Sequence, residues 1–159
     1  MIKVTLITLG KLKEKYLRDA CSEYVKRLSR YCSLEIAELE PARLPEKPSR
    51  SEIDSALKKE AEMIFKKIPT GAEVIPLCVE GKEYESEKFA QILGNFENMG
   101  KQIVFIIGSS YGLDESVKKS GNIKLSLSQM TFPHQLFRVM LLEQIYRAFK
   151  INEGGSYHK

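Results

Sequence analysis

The chain has 159 residues, 43% of them hydrophobic and 29% charged, with a formal net charge of +4 at pH 7. That length suits a single domain, residues 1–159, able to bury a core without staples, and the composition is ordinary for a soluble globular protein. No apolar run has the length of a membrane span, and the N-terminus lacks the charged region and apolar core of a signal peptide, so a cytoplasmic protein with no membrane partner is expected.

Residues 2–9, β-branched and aliphatic and closed by Gly10, predict a strand and turn. Over 12–28, Leu12, Tyr16, Ala20, Tyr24 and Leu28 recur at every fourth position with Leu17, Cys21 and Val25 beside them, which predicts an amphipathic helix with its basic residues outward. Between Lys11 and Arg30 stand seven basic residues against three acidic ones, an excess equal to the net charge of the whole chain. Such a concentration suits either a grip on a phosphate backbone or a plain solvated helix face. A second strand is expected over 34–39, then a surface loop over 41–49, whose three prolines sustain neither helix nor ladder.

Residues 51–67 predict a helix with Ser51 as N-cap, and 73–79 a strand that Pro76 assigns to an edge or a bulge. A helix over 86–99 follows, then the continuous apolar run 103–107 of a strand covered on both faces. Asp114 is placed to cap a short helix to Lys119, and 123–127 is expected to be a fifth strand. Strand and helix alternate throughout, so the fold class is α/β with a mainly parallel sheet flanked by helices. The last helix is expected from Pro133 to Lys150, with apolar residues spread around nearly its full circumference. One sheet face needs only a stripe. The surplus asks for cover on a second side, from another subunit or from elsewhere in the chain.

Cys21, Cys32 and Cys78 show no Cys-x-x-Cys spacing and read as reduced, small apolar residues. His134 and His158 are the only histidines, so no metal site is expected. Ligands of open α/β sheets sit beyond the carboxyl ends of the strands. Three segments qualify: 79–82, 108–112 and 126–134. The Gly108 loop is neither a dinucleotide fingerprint nor a Walker loop, and by itself reads as a strand-to-helix turn. His134 and Arg138, four apart on the last helix, share a face and suit a proton acceptor beside an anion stabiliser; His134 equally suits a structural hydrogen bond at a helix start. Arg147 has a ready partner in Glu143. The tail Tyr157-His158-Lys159 follows a Gly154-Gly155 hinge and either frays or functions.

Taken together, Gly10-Lys11-Leu12-Lys13, Phe105-Ile106-Ile107-Gly108, Gly112, the run from Leu125 to Gln135 with its Ser-Gln-Met-Thr-Phe-Pro-His core, Glu143 to Ala148, and the ending Tyr157-His158-Lys159 carry a specific pattern. It resembles the ribosomal large-subunit methyltransferase H family, small members of the SPOUT superfamily of knotted methyltransferases, over essentially the whole chain. The resemblance implies a C-terminal trefoil knot, an exception to the unknotted rule. It implies S-adenosylmethionine as methyl donor, touching Leu77, Gly108, Leu127, Ser128, Gln129, Met130, Thr131 and Phe132. It implies a homodimer paired across the knot helices, and methylation of N3 of a pseudouridine in large-subunit (23S) ribosomal RNA on the assembled ribosome, with no DNA partner. His134 or His158 would take the N3 proton, Arg138 or Lys159 would support the anion, and Tyr157 would stack on the base. Pro76 departs from the family, whose members carry a hydrogen-bonding residue there. The alternative is a non-catalytic ribosome- or RNA-binding module; a dehydrogenase lacks its fingerprint.

Overall fold

The computed structural model describes all 159 residues. Nine elements follow in order: β1 (Ile2–Leu9), α1 (Lys15–Leu28), β2 (Cys32–Leu39), α2 (Arg50–Phe65), β3 (Glu73–Lys82), α3 (Ser86–Asn98), β4 (Ile103–Ile107), α4 (Glu115–Lys118) and α5 (His134–Asn152). The four strands form one parallel sheet in the order β2-β1-β4-β3. The period-two alternation of β1 and β4 sorts their side chains onto two faces. Val4, Leu6, Ile103, Phe105 and Ile107 join the larger core with Leu142 and Ile145 of α5. Ile7, Leu9, Val104 and Ile106 meet Ala61 and Ile64 of α2 and Val117 of α4. All five residues of β4 are buried, as its unbroken apolar run predicts. Cys21 and Cys32 lie in the core and all three cysteines are free thiols.

Pro76 stands in the edge strand β3, opposite Ile106, where its missing N–H costs the sheet least. Two expectations need correction. The N-cap of α2 is Ser49, not Ser51: the Ser49 side chain accepts from the Glu52 backbone N–H, and the Glu52 side chain accepts from that of Ser49. Ser-x-x-Glu fits this register and closes a full capping box. Residues 123–127 are also not a fifth strand. They touch β3 only at Leu125, through isolated parallel bridges to Leu77 and to Lys82. The approach is close because Gly81 and Gly121 lack side chains: a Cβ on Gly81 would stand 2.8 Å from the Lys124 carbonyl oxygen, and one on Gly121 would overlap that of Val74.

The apolar girdle of α5 is covered largely by its own chain. No residue from His134 to Ile151 is fully exposed, and α5 packs against both α1 and α3. The second cover expected from another subunit is therefore supplied mostly from within, leaving Leu136, Val139 and Met140 only partly shielded. No helix is long and apolar enough to cross a membrane.

Candidate active site

Beyond the carboxyl ends of β3 and β4 the chain makes two walls around a cleft of about 350 Å³. The first wall is the turn after β4, where Ser109 and Gly112 pair and the Gly112 N–H donates to the Ser109 carbonyl at 2.9 Å. A Cβ on Gly108 would overlap the Gly112 carbonyl oxygen. Glycine is thus required here by the loop's own closure, before any ligand is considered. Asp114 then caps α4, accepting from the Ser116 N–H at 3.1 Å.

The second wall is the segment that begins at Leu125. It is tied to β3 by the Lys82 N–H on the Lys124 carbonyl (2.8 Å) and the Ser126 N–H on the Lys82 carbonyl (3.0 Å). Ser126 Oγ donates to the Ser128 carbonyl and the Met130 N–H donates to Ser128 Oγ, both at 3.0 Å, which folds the run into a compact loop. Of the eight residues expected to touch a cofactor, Leu77, Gly108, Leu127, Ser128, Thr131 and Phe132 line the cleft; Gln129 and Met130 do not. Both are exposed, Met130 by 72%.

His134, the first residue of α5, also lines the cleft. Burial, reinforced by the nearby charges of Arg138 and Lys13, pushes its pKa below the usual imidazole value. It is held neutral, with a lone pair available at ordinary pH. Arg138 behaves otherwise. It is 6% exposed and donates to Glu38 at 2.6 Å, to the Thr8 hydroxyl at 3.0 Å and to the Gly10 carbonyl at 3.1 Å. Its guanidinium clamps the ends of β1 and β2 to α5 and does not line the cleft, contrary to the direct contact with a reacting base expected of it. What reaches His134 is its field.

The tail is ordered against α5 and α3. Tyr157 donates to Glu143 Oε1 at 3.2 Å, meets the Tyr146 ring edge-on at 5.0 Å and lies under the Arg147 guanidinium at 4.8 Å. Burial, with Tyr24 and Glu143 beside it, pushes the Tyr157 phenol up to about 12. His158 bridges Arg147 (3.1 Å) and Glu87 (2.8 Å), and Arg147 pairs with Glu143 at 2.5 Å as its spacing predicts. None of Tyr157, His158 and Lys159 lines the cleft of its own chain. Next to Glu143 opens a second cavity of about 460 Å³, which shares Leu125, Ser126 and Leu127 with the first.

Lys118 and Glu60 lie outside the three candidate segments, and Glu80 stands within one of them, 79–82, with no sign of its partner. Lys118 of α4 pairs with Glu80 of β3 on the rim of the cleft. The Lys118 hydrogen bond draws the Glu80 carboxyl below its ordinary range. Burial is the largest influence on Lys118 and lowers it, but its bond to Glu80 together with the charges of Glu80, Glu115 and Cys78 raises it overall. Behind the Gly108 turn, Glu60 of α2 is 4% exposed and accepts from the Ala42 N–H at 3.0 Å. Burial pushes its carboxyl up, against the lowering pull of Ala42 and Ser109. Glu80 and Lys118 are 38 residues apart, so no local pattern announces the pair.

Comparison with known proteins agrees with this architecture. Residues 2–158 match the family described as "Predicted SPOUT methyltransferase". Ribosomal RNA large subunit methyltransferase H of Clostridium acetobutylicum is 48% identical over 159 residues, covering 99% of this chain and 100% of the relative. The protein of the same name from Streptococcus suis is 48% identical with the same coverage, and that of Clostridium perfringens strain 13 is 50% identical. The cleft and the matched sequence coincide, and the chain belongs to the SPOUT methyltransferase family.

Proposed function

We propose that this protein methylates N3 of a pseudouridine in large-subunit ribosomal RNA, using S-adenosylmethionine, as a homodimer acting on the assembled ribosome. The observation that carries this is the convergence of His134, the Gly108 turn and the Leu127–Phe132 segment around one cleft. Its size lies within the range of small-molecule sites, and its lining suits the donor. Leu77, Leu127 and Phe132 would pack against the apolar parts of the molecule, Ser128 and Thr131 offer hydroxyls, and Lys118 and Glu80 offer opposite charges at the rim. The same reading carries the trefoil knot, with which the close chain approaches at Gly81 and Gly121 are compatible.

S-adenosylmethionine brings a methyl group already activated on sulfur, so the protein needs no covalent nucleophile. The pseudouridine N3–H must lose its proton before that nitrogen attacks. His134, neutral and inside the cleft, accepts it. Arg138 positions α5, and with it His134, through Glu38, Thr8 and Gly10. We assign Tyr157, His158 and Lys159 to the target base as well. Because each tail is held away from its own cleft by Glu143, Arg147 and Glu87, it reaches a base by release or by serving the other subunit's site.

Calorimetry with S-adenosylmethionine, light scattering, and nucleoside mass spectrometry of ribosomes treated with enzyme and labelled donor test the proposal. Expected are binding, a mass about twice the chain's 18.1 kDa, and label on one pseudouridine. Label elsewhere, or a protein that binds ribosomes without transfer, would overturn the assignment in favour of another target or a binding module.

A further inference from the structure

On the sheet edge remote from the cofactor cleft, a second groove of about 520 Å³ lies between α1 and the carboxyl-terminal half of β2. Its floor is apolar, with Cys21, Val25 and Ile36, and its walls carry Lys11, Arg18 and Lys26. All three cations are exposed and none has a carboxylate within ion-pair distance. The only acid in the groove, Glu38, is already engaged by Arg138 at 2.6 Å. Arg18 spends one nitrogen on the Lys13 and Leu12 carbonyls and keeps its remaining donors free. The groove therefore presents unneutralised positive charge beside its apolar floor, and that charge is what attracts a phosphodiester backbone.

Its position ties it to the chemistry. The Lys13 N–H donates to the Gln135 side chain at 3.0 Å, so the loop carrying Lys11 is fastened to the residue after His134. Arg138 is shared, with its guanidinium on Glu38 and its field on His134. In the order β2-β1-β4-β3, two or three strand spacings separate the groove from the cleft, roughly 10–14 Å. A few nucleotides of one strand span that distance.

We propose that this groove is a backbone-phosphate site for the substrate RNA, holding the strand a few nucleotides from the base presented at the cofactor cleft; this rests on the methyltransferase reading above. The test is Lys11→Gln with Lys26→Gln, leaving Arg18 in place because it closes the Lys13 loop. Neither lysine side chain makes a hydrogen bond or an ion pair, so the double variant should fold. Binding of a labelled single-stranded RNA of about a dozen nucleotides is followed against salt, together with KM and kcat on large ribosomal subunits lacking the modification. Losing two phosphate contacts should flatten the log–log salt dependence by about 1.4 and raise KM on the order of tenfold at moderate salt. The kcat and S-adenosylmethionine affinity should stay within about twofold, as the groove touches neither the base nor the donor.

An unchanged salt slope and KM, or a wild-type protein that binds no RNA, overturns the proposal. So does equal displacement of RNA by polyglutamate of matched charge, which would mark a surface for acidic proteins. If the wild-type protein methylates no RNA while the variant still loses its salt slope, the enzymatic reading fails and the groove stands.

Discussion

Replacing Arg138 with methionine separates a clamp from an anion stabiliser. Methionine keeps much of the volume and removes every donor. The change leaves Glu38 without its partner, the Thr8 hydroxyl without its ligand in a position 2% exposed, and the Gly10 carbonyl without its guanidinium donor. Breaking a buried ion pair by removing one partner costs about 3–5 kcal/mol. Glu38 retains 35% of its side-chain exposure and recovers part of its hydration, which favours the lower end, about 3 kcal/mol. For a chain of this size that is a melting point lower by roughly 6–12 °C. Urea denaturation at fixed protein concentration reads the loss directly, and a cycle with Glu38→Gln should return a coupling of about 1–3 kcal/mol. Single-turnover methyl transfer at saturating enzyme, below the melting range, should fall less than tenfold. A variant as stable as wild type, yet slowed a hundredfold at saturation, would refute the clamp and restore Arg138 to the reacting base.

His134→Gln should leave S-adenosylmethionine affinity intact and lower single-turnover transfer by about 10²–10⁴-fold. Because its pKa is depressed, wild-type transfer should hold through neutral pH and fall only as acid drives His134 through that lowered value; loss of activity already above pH 7 would exclude it as the acceptor. Gly108→Ala should cost about 2 kcal/mol or more, since its Cβ overlaps the Gly112 carbonyl, and a wild-type thermal melt would show that the turn is looser than its geometry. For Glu60 the folded-state pKa is raised, so its contribution is present below the unfolded-state value and is lost as pH rises through the folded one. Glu60→Gln should therefore gain on wild type in denaturation at pH 8 relative to pH 4, and a pH-independent difference would remove the buried charge as its cause. Deleting Tyr157-His158-Lys159 should cost about 1–2 kcal/mol of stability through the lost stacking on Tyr146 and Arg147, and lower transfer on the order of a hundredfold; unchanged melting and rate would return the tail to a frayed end.

The fold is legible in the sequence wherever one face of an element is apolar. The alternation of Leu6 and Ile7, the unbroken run of β4 and the lone proline of an edge strand each reflect burial that acts residue by residue. Pairings made through space are not legible. Glu38 and Arg138 are 100 residues apart, and no local pattern predicts that the arginine faces the strand ends rather than the cleft. The girdle of α5 is correctly apolar, but apolarity states only that cover exists; α1 and α3 supply it before a second subunit is needed. The segment 123–127 has strand-forming residues, and its path is set instead by what Gly81 and Gly121 let pass. Six of the eight expected cofactor contacts line the cleft because they lie on β3 or on the two walls beyond it. Gln129 and Met130, in the same run, sit at the outer turn of the loop that Ser128 closes.

The seating of Leu125 on β3 gives the site its coherence. Leu125 is pinned to β3 at both Leu77 and Lys82, and the stretch Leu125–Leu127 lines both the candidate cleft and the cavity beside Glu143. The tail rests on Glu143, and His134 opens the helix that carries it. A packed wall cannot shift on one side without changing the space on the other. A ligand filling the cleft therefore meets the same three residues that line the cavity beside Glu143, and their seating depends on the absence of two side chains at the sheet edge.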